Sequence, residues 1–440
     1  MMLVSMVEYV GIAETFLSIA TAIILMCYPV IPNQGSGMIY PGSRELARQI
    51  HRGWTHNWRA FRKMGNSDTR NGNDLEMSLQ ISDMRGNGFQ MKAIAIVPGR
   101  PEIAGVIDMP EPRDSDGSVL VQTRSIGLCG TDLEIALEGY GIPPPGEKRL
   151  VLVHESLGEV IEAPEGSGFE SGNLVVGIVR RPDPLLCPAC AADEWDMCRN
   201  GGFVERGIKE YHGYGCERFR VDPHFAVRID SRLGDLGVLL EPTAVVAKAW
   251  EQAERIGSRS WFKPRLALIT GAGPVGLLAA LLARQRGLET HVVDVVKKGA
   301  KPRLVADLAA QYHSEPVVDL QIEPDVVIEC TGVGKVSRDA ALLAAPGGII
   351  ALTGFSQSER LVKVRMDTMT RALVFGNKVA FGTVSAARRH YDQAAEALAR
   401  ANPKWLTQLI TRRLAPEDWP NALEKREEDI KVIVDMTLTS

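Results

Sequence analysis

The fold of this chain is decided by residues 266–276, which read LALITGAGPVG. The first five predict a short buried strand, and residues 277–286 continue with the apolar pattern of a helix. Strand, glycine turn and helix in this order are the context that a dinucleotide-binding loop requires. The first glycine permits the turn, the second lets the backbone approach a pyrophosphate, and the third lets helix and strand pack closely. Because free N–H groups at a helix N-terminus favour anions, we expect nucleotide contacts from Gly271, Gly273, Val275 and Gly276.

A second strand, predicted over residues 290–294, ends in Asp294. A carboxylate at this place accepts hydrogen bonds from ribose hydroxyls and repels a 2′-phosphate, which favours NAD. The nearby Lys297 softens that preference, so NADP is not excluded. The alternation continues with predicted helices at 302–312 and 336–344 and predicted strands at 325–329 and 348–353. It indicates a doubly wound parallel sheet, to which Thr353 and Thr383 are expected to add nucleotide contacts.

Candidate metal ligands lie upstream of this sheet. Cys129 stands in the run SIGLCGTD, and His154 and Glu155 stand in the run VLVHESLG. The second histidine of an H-E-x-x-H protease motif is absent. A catalytic zinc takes about three protein ligands and keeps one position open. Cys129, His154 and an acid, either Glu155 or Glu241, supply that set. Each alone is more often a buried thiol or a core histidine, but together with the nucleotide loop they indicate zinc.

A second cysteine group follows. Of the seven cysteines in the chain, Cys187 and Cys190 form a C-x-x-C pair that is followed by Asp193 and Cys198. A closed structural zinc site needs four ligands, which three cysteines and Asp193 supply, with Cys216 in reserve. An empty or degraded site is the alternative. No thioredoxin-like context surrounds the pair, so a redox motif is not favoured.

The bulk composition sets limits on the class of protein. A length of 440 residues predicts two domains and an additional segment. An apolar content of 45% and a charged content of 24% are those of a soluble globular protein. The net charge of −4 gives no footprint for nucleic acid, so no nucleic-acid partner is expected. The cysteine pattern favours metal chemistry in a reducing, cytoplasmic compartment.

Residues 1–90 do not match the rest. The apolar run at residues 15–31 is at the short limit for crossing a bilayer, and no Lys or Arg precedes it as in a secretory signal. A loose polar linker follows at residues 65–88, and Met91 opens a strand-like segment. We expect residues 1–90 to be an unstructured or mis-assigned extension. A membrane anchor at 15–31, with the C-terminal bulk in the cytoplasm, is the alternative.

Residues 91–436 resemble the zinc-containing medium-chain dehydrogenase/reductase superfamily and, within it, the glucose dehydrogenase branch. The resemblance is carried by the two metal runs, LEP at 240–242, the cysteine pair, the glycine loop and GTVS at 382–385. It implies an α/β fold with three parts: a β-rich GroES-like catalytic domain, an inserted Rossmann nucleotide domain and a C-terminal return to the catalytic domain. The corresponding ranges are 91–250, 251–384 and 385–440.

The resemblance also implies site residues. The catalytic zinc would lie at Cys129, His154 and Glu155, with Glu241 as a further ligand. The lobe zinc would lie at Cys187, Cys190, Asp193 and Cys198. Val153 stands where the family has glycine before the histidine, and Val179, Val245 and the pair Ser385-Ala386 stand where polar sugar contacts are expected. Sites built to bind a hydroxyl discriminate strongly on it, so glucose itself is not specified.

The expected function is a zinc-dependent alcohol, polyol or aldose dehydrogenase. Thr131, two residues after Cys129, is expected to relay the hydroxyl proton, while Glu155 alternates between ligand and neighbour of the metal. Dimers or tetramers are common among similar enzymes. A zinc-free reductase on the same fold would lack Cys129 and His154. The other alternative is a non-catalytic nucleotide-binding protein tethered to a membrane by residues 15–31.

Overall fold

The structure is a computed structural model that describes residues 90–355, 361–424 and 426–438. The apolar run at 15–31 and the rest of residues 1–89 lie outside the described residues. None of the described helices combines the length and the apolar character that a bilayer crossing requires.

The described elements fall into a β-rich first part and an alternating second part. The strands are β1 (Gln90–Val97), β2 (Arg100–Pro110), β3 (Val119–Leu128), β4 (Leu150–Val151), β5 (Glu155–Glu162), β6 (Leu174–Gly177), β7 (Arg180–Arg181), β8 (Val204–Arg206), β9 (Glu210–Tyr211), β10 (Arg218–Val221), β11 (Ala226–Arg228), β12 (Leu266–Thr270), β13 (Glu289–Val293), β14 (Gln311–His313), β15 (Val326–Glu329), β16 (Ile349–Leu352), β17 (Val379–Gly382), β18 (Ile410–Leu414) and β19 (Lys431–Asp435). The α-helices are α1 (Gly130–Glu138), α2 (Pro188–Ala191), α3 (Leu240–Gly257), α4 (Pro274–Gln285), α5 (Ala300–Asp307), α6 (Gly334–Leu343), α7 (Met366–Gly376), α8 (Arg388–Arg400) and α9 (Pro403–Leu409).

The first large sheet has the order β11-β6-β5-β3-β19-β18, with β10 also paired to β3. Both β5 and β19 run antiparallel to β3, with Gly127 opposite Glu155 and Leu128 opposite Val432. Antiparallel neighbours begin where the central strand ends. The first residues of β5 and β19 therefore lie beside Cys129, which follows β3, and the C-terminal end of the chain completes the sheet that its earlier part began.

The second large sheet has the order β14-β13-β12-β15-β16-β17, and its neighbouring strands are all parallel. The strand order reverses at β12, and ligands of such sheets bind outside the carboxyl ends of the strands at this switch point. The glycine loop leaves β12 there. A Cβ on Gly276 would lie 1.8 Å from the carbonyl oxygen of Gly271, so close packing requires glycine. These features confirm the predicted α/β fold with its Rossmann sheet.

One predicted element was wrong in its extent. The helix expected over residues 302–312 ends in the structure at Asp307, and Gln311–His313 form the edge strand β14. Ala309 adopts a φ of 53°, which turns the chain out of the helix. The predicted domain boundary at 250/251 falls inside α3, and the domain ranges themselves stay predictions.

Candidate metal and nucleotide site

Cys129, His154 and Glu155 come together at the end of β3. Their donor atoms all lie within 4.8 Å of one another. His154 is 5% exposed and Glu155 is 1% exposed, while Cys129 is half-buried. The strand pairing produces this cluster, because β5 begins at Glu155, which pairs with Gly127, two residues before Cys129. Two predicted ligand runs that are separate in the sequence are thus one site.

Asp132, the last residue of the C-G-T-D motif, ties the two ligand loops together. Its buried carboxylate accepts a hydrogen bond from the backbone N–H of Cys129 at 2.8 Å and from that of Val153 at 3.2 Å. Val153 adopts a φ of 74°, in the left-handed region where glycine is the usual residue. This conformation agrees with the glycine that the family resemblance leads one to expect before the histidine.

The electrostatics of the cluster favour a bound cation. Burial by itself lowers the pKa of His154, but the Cys129 side chain and the charges of Asp132 and Glu241 raise that pKa well above its ordinary value. Burial raises the pKa of Glu241 to about 7 and also raises that of Glu155. The Nδ1 atom of His154 is buried and has no hydrogen-bond partner among the described residues. A thiol, an imidazole with an unpaired nitrogen and buried carboxyls fit zinc.

Glu241, the other predicted acid, occupies the first turn of α3 and is buried. The charge of Glu241 raises the pKa of His154. In turn, the charge of His154 lowers the pKa of Glu241 and that of Glu155 raises it. Its carboxylate is not one of the three donor groups that lie within 4.8 Å of one another in the described part of the chain. Thr131 lies beside the sulfur of this cluster: its Oγ1 is 3.9 Å from Cys129 Sγ.

Lys431, the first residue of β19, was missed by sequence reasoning. It is 1% exposed, its Nζ is paired with Oε2 of Glu155, and the same amino group donates a hydrogen bond to the carbonyl of Leu128 at 3.0 Å. Gly127 makes room, because a Cβ there would lie 2.2 Å from Glu155 Oε2. A lysine at the start of an apolar strand carries no local signal of this contact, which only the sheet order creates.

A cavity of about 420 Å³ joins the two predicted halves of the site. On one side it is lined by Cys129, Glu155 and Lys431, and on the other by residues 273–276 of the glycine loop and by Lys301. The candidate metal donors Cys129 and Glu155 and the predicted dinucleotide loop therefore face the same space. Neither the metal runs nor the glycine loop predicts this juxtaposition without the fold.

The predicted nucleotide residues occupy different places around the switch point. Gly271 has a φ of 87°. The carboxylate of Asp294 accepts hydrogen bonds from the backbone N–H groups of Ala272 at 2.7 Å and Val296 at 3.0 Å, and Lys301 lies 3.3 Å from it. Asp294 and Gly271 also line a neighbouring cavity of about 420 Å³. Lys297 is exposed and follows Val295, which lines this cavity, by two residues.

The two predicted threonines differ in their surroundings. Thr353 donates its hydroxyl hydrogen bond to the carbonyl of Glu329 at 2.7 Å, whereas the buried Oγ1 of Thr383 has no partner among the described residues. Glu329, the last residue of β15, was not selected by sequence reasoning. It is fully buried and accepts hydrogen bonds from Thr270, the last residue of β12, and from Thr331, two residues after β15. It fixes the carboxyl ends of the two strands that flank the switch point.

The lobe cysteines form a second cluster. The sulfurs of Cys187, Cys190 and Cys198 lie within 4.8 Å of one another. Backbone N–H groups of Arg199 and Cys190 point at the Cys187 sulfur and lower its pKa to about 6. Burial raises the pKa of Cys190 to about 11. Three adjacent thiols, one held by backbone N–H groups, fit a zinc ion.

The expected fourth ligands of the lobe lie elsewhere. Asp193 has a φ of 58° and an exposed side chain that lies 3.5 Å from His224. Cys216, the reserve ligand, is buried in a different core cluster and donates to the carbonyl of Arg218 at 3.2 Å. The structure therefore brings together the three cysteines and leaves both Asp193 and Cys216 outside the group.

The fold and the site define a class of protein. Soft and borderline zinc donors on a β-rich domain, facing the glycine loop of a Rossmann sheet across one cavity, are the arrangement of the medium-chain zinc-containing dehydrogenases.

Comparison with known proteins gives the family. A family model described as the alcohol dehydrogenase GroES-like domain matches residues 115–231, and one described as the glucose dehydrogenase C-terminus matches residues 234–436. The chain is 38% identical over 357 residues to a glucose 1-dehydrogenase of Methanocella arvoryzae, covering 79% of this chain and 99% of the relative. It is 35% identical over 350 residues to a glucose 1-dehydrogenase of Thermoproteus tenax, covering 78% and 99%.

A solved structure agrees with the sequence relatives. The glucose dehydrogenase of Haloferax mediterranei, in complex with NADP, Zn and gluconolactone, superposes with a TM-score of 0.74 at 30% identity, covering 79% of this chain and all of that one. The chain belongs to the zinc-containing medium-chain dehydrogenase/reductase superfamily, in its glucose dehydrogenase branch.

Proposed function

We propose that this chain is a zinc-dependent sugar dehydrogenase that transfers hydride from a hydroxyl-bearing carbon of a sugar, or of a related polyol or alcohol, to NAD or NADP. The observation that carries the proposal is the cavity shared by Cys129 and Glu155 with the glycine loop. The relatives named glucose 1-dehydrogenase, and the neighbour that holds NADP, Zn and gluconolactone, support the same reaction.

The metal donors are Cys129, His154 and Glu155, with Glu241 as a further acid. Zinc, when bound there, supplies a Lewis acid that lowers the pKa of a substrate hydroxyl. The chain positions its donors without the metal: Asp132 fixes the backbone of Cys129 and Val153. Lys431 holds the Glu155 carboxylate in place from inside the protein.

Proton and nucleotide handling fall to other residues. Thr131, whose hydroxyl lies 3.9 Å from Cys129 Sγ, is proposed to accept and relay the proton of the substrate hydroxyl. Gly271, Gly273, Val275 and Gly276 bind the pyrophosphate, and the nicotinamide supplies the hydride acceptor. The buried Oγ1 of Thr383 is a candidate donor to the nucleotide, and Thr353 shapes the strand end beside it.

NAD is proposed as the preferred nucleotide, with NADP accepted. The carboxylate of Asp294 at the end of β13 repels a 2′-phosphate. The ion pair with Lys301 at 3.3 Å, and the exposed Lys297 nearby, moderate this repulsion. The ratio of the two nucleotides' kcat/KM values measures the balance.

The proposal specifies a sugar dehydrogenase but does not specify glucose as the sugar. Val179 is buried and Val245 is half-buried at two places where the branch is expected to present polar contacts. Ser385 stands at the third place, with a φ of 61° and a buried Oγ that has no partner among the described residues. One hydroxyl therefore remains to contact the substrate where three polar groups are expected.

The experiment that tests the function is a spectrophotometric screen. Aldoses, polyols and simple alcohols are tested with NAD and with NADP, before and after treatment with a chelator that is then reversed by zinc. Substrate-dependent NADH or NADPH formation that is lost with the metal and restored by it supports the proposal. Turnover that is indifferent to metal, or nucleotide binding without turnover of any of these substrates, contradicts it.

The lobe cysteines are proposed to hold a second zinc, and the protein is proposed to work in the cytoplasm as a dimer or tetramer. Within the described residues β17 is the last strand of its sheet, and α7 beside it buries none of its side chains. Met366, Val374 and Phe375 on that helix are exposed apolar residues. Light scattering of the purified chain measures the assembly, and metal analysis counts the zinc ions.

A further inference from the structure

A cavity of about 480 Å³ lies apart from the metal and nucleotide residues. It is bounded by the end of β2 and the segment after it, by β9 and β10, and by Arg206 of β8. Its charged lining residues are Glu111, Arg113, Asp116, Glu147, Arg206, His212, Arg218 and Arg220. Nothing in the proposed hydride transfer uses these groups.

Most of these charges already have partners. Arg218 and Glu111 form a two-pronged pair whose bonds from Nε are 2.8 and 3.0 Å long, and His212 lies 3.0 Å from Glu147. Arg220 lies 2.9 Å from Asp114. Glu111 and Glu147 are therefore engaged, and Asp116 accepts the backbone N–H of Arg113 at 3.0 Å. Among the described residues, two arginines of the wall lack an ion pair: the exposed Arg113 and the buried Arg206.

Arg206 is the buried one of the two. It is 5% exposed, and its two terminal nitrogens donate to the carbonyl oxygens of His212 at 3.4 Å and Arg220 at 2.7 Å. Among the described residues, its Nε has no hydrogen-bond partner and no carboxylate lies within the 4.0 Å of an ion pair. The faces of Tyr211 and Tyr214 lie 4.0 and 5.0 Å from the guanidinium.

A buried cation without an anion is expensive, and aromatic faces offset only part of the cost. Of the five N–H groups of Arg206, three remain unused: the Nε–H, which is shielded from solvent, and one N–H on each terminal nitrogen. The two terminal N–H groups can together bind an oxyanion with two parallel bonds. We propose that this cavity is a second ligand site, which takes a small oxyanion, a carboxylate or a phosphate, on the guanidinium of Arg206.

The site is separate from the metal centre. Glu205, the preceding residue of β8, pairs with Arg180 at 2.9 Å and its charge acts on Glu241 near the metal donors. Because neighbouring side chains of a strand point to opposite faces, Arg206 points away from them. The loop that follows the cavity wall does reach the metal run, since Tyr214 donates its backbone N–H to the carbonyl of Val153 at 2.7 Å.

The test is calorimetric titration of the full-length, zinc-loaded chain with inorganic phosphate and, separately, with acetate. Saturating NAD occupies the glycine loop, and sodium chloride keeps the ionic strength constant. We expect saturable binding to the wild type and an affinity at least about tenfold lower for Arg206→Met, since a charge-assisted hydrogen bond is lost. The tighter of the two anions identifies the ligand class. Arg100→Met removes the same charge from an exposed side chain and is expected to leave the affinity unchanged.

Two results would overturn the proposal: no saturable binding of either anion to the wild type, or equal affinities in wild type and Arg206→Met. If Arg206→Met does not fold, Arg206→Lys takes its place, because lysine keeps the charge but cannot bind an oxyanion with two parallel bonds. Weaker binding to Arg206→Lys supports the site, and an unchanged affinity contradicts it.

Discussion

The amino group of Lys431 and the carboxylate of Glu155 form an ion pair from which solvent is excluded: each residue is 1% exposed. The pair joins the first residue of the last strand to the first residue of β5, on either side of the strand that leads to Cys129. Burial and the neighbouring charges act in opposite directions on Lys431, and the negative charges of Glu155 and Cys129 leave its pKa raised. The lysine thus stays charged beside the candidate metal donors.

Lys431→Met is expected to destabilise the protein by about 3–5 kcal/mol, because it leaves a buried carboxylate without its partner. Urea unfolding measures the change. The double variant Lys431→Met with Glu155→Gln should recover part of the loss, since it removes the orphaned charge as well. Lys92→Met, which breaks a surface pair with Asp108, serves as the control and should change stability little. Equal effects of Lys431→Met and Lys92→Met would contradict the role of the buried pair.

Cys129→Ser is expected to lower turnover by more than about a thousandfold, since the metal contributes several kcal/mol to the chemical step and each 1.36 kcal/mol is a factor of ten. NAD binding, followed by fluorescence titration, should be retained because the glycine loop is intact. Cys216→Ser is the matched control: its thiol lies outside the metal cluster, donating to a backbone carbonyl that a hydroxyl can also reach. Near wild-type turnover in Cys129→Ser would exclude this cysteine as a metal ligand.

Val153 offers a test of backbone strain next to His154. At a φ of 74° glycine is expected to be more stable than alanine by about 1 kcal/mol, because the left-handed region penalises a Cβ. The comparison is therefore Val153→Gly against Val153→Ala, measured by thermal unfolding. Val151, buried in strand β4, gives the control pair, for which alanine should be the more stable. The same order at both positions would show that Val153 carries no such strain.

Asp294→Asn is expected to shift nucleotide preference toward NADP by at least about tenfold in the ratio of kcat/KM values, because the charge that repels a 2′-phosphate is removed. The amide oxygen can still accept the hydrogen bond that Ala272 donates at 2.7 Å. Asp307→Asn, an equal charge change on the exposed surface of α5, should leave the ratio unaltered. An unchanged ratio in Asp294→Asn would remove this residue from the specificity argument.

His390 predicts a pH dependence of stability. Its ring is fully buried, and burial lowers its pKa to about 4. The unfolded chain, with a pKa of about 6.5, binds more protons between these values, so the contribution of about 3 kcal/mol is present above pH 6.5 and is lost as the pH falls toward 4. Urea unfolding at pH 7 and near pH 4.5 measures it.

The control for this pH effect uses two histidine variants. His390→Gln should flatten the dependence between pH 4.5 and 7, and His224→Gln, which removes a more exposed ring, should retain it. Identical pH profiles for the wild type and His390→Gln would show that another group is responsible.

Local sequence patterns predicted much of the secondary structure and the types of candidate ligand in this protein. The strand over residues 266–270, the glycine turn and the following helix were predicted within a few residues, because their signals are apolar periodicity and backbone freedom at glycine, which act locally. The ligand types at Cys129 and His154 were likewise readable as chemistry. The helix predicted at 302–312 failed where edge pairing with β13 converted its end into a strand.

Tertiary structure decided the rest. No spacing along the chain predicts that Lys431 pairs with Glu155 or that Asp193 lies outside the group of lobe cysteines. Nor does it predict that Arg206 is buried with no carboxylate of the described residues within ion-pair distance. These facts depend on which strands become neighbours and on how deeply a charge is buried, both of which are set by contacts between residues far apart in the sequence. The sequence specified which groups were available for chemistry, and the fold determined the distances between them and their exposure to solvent.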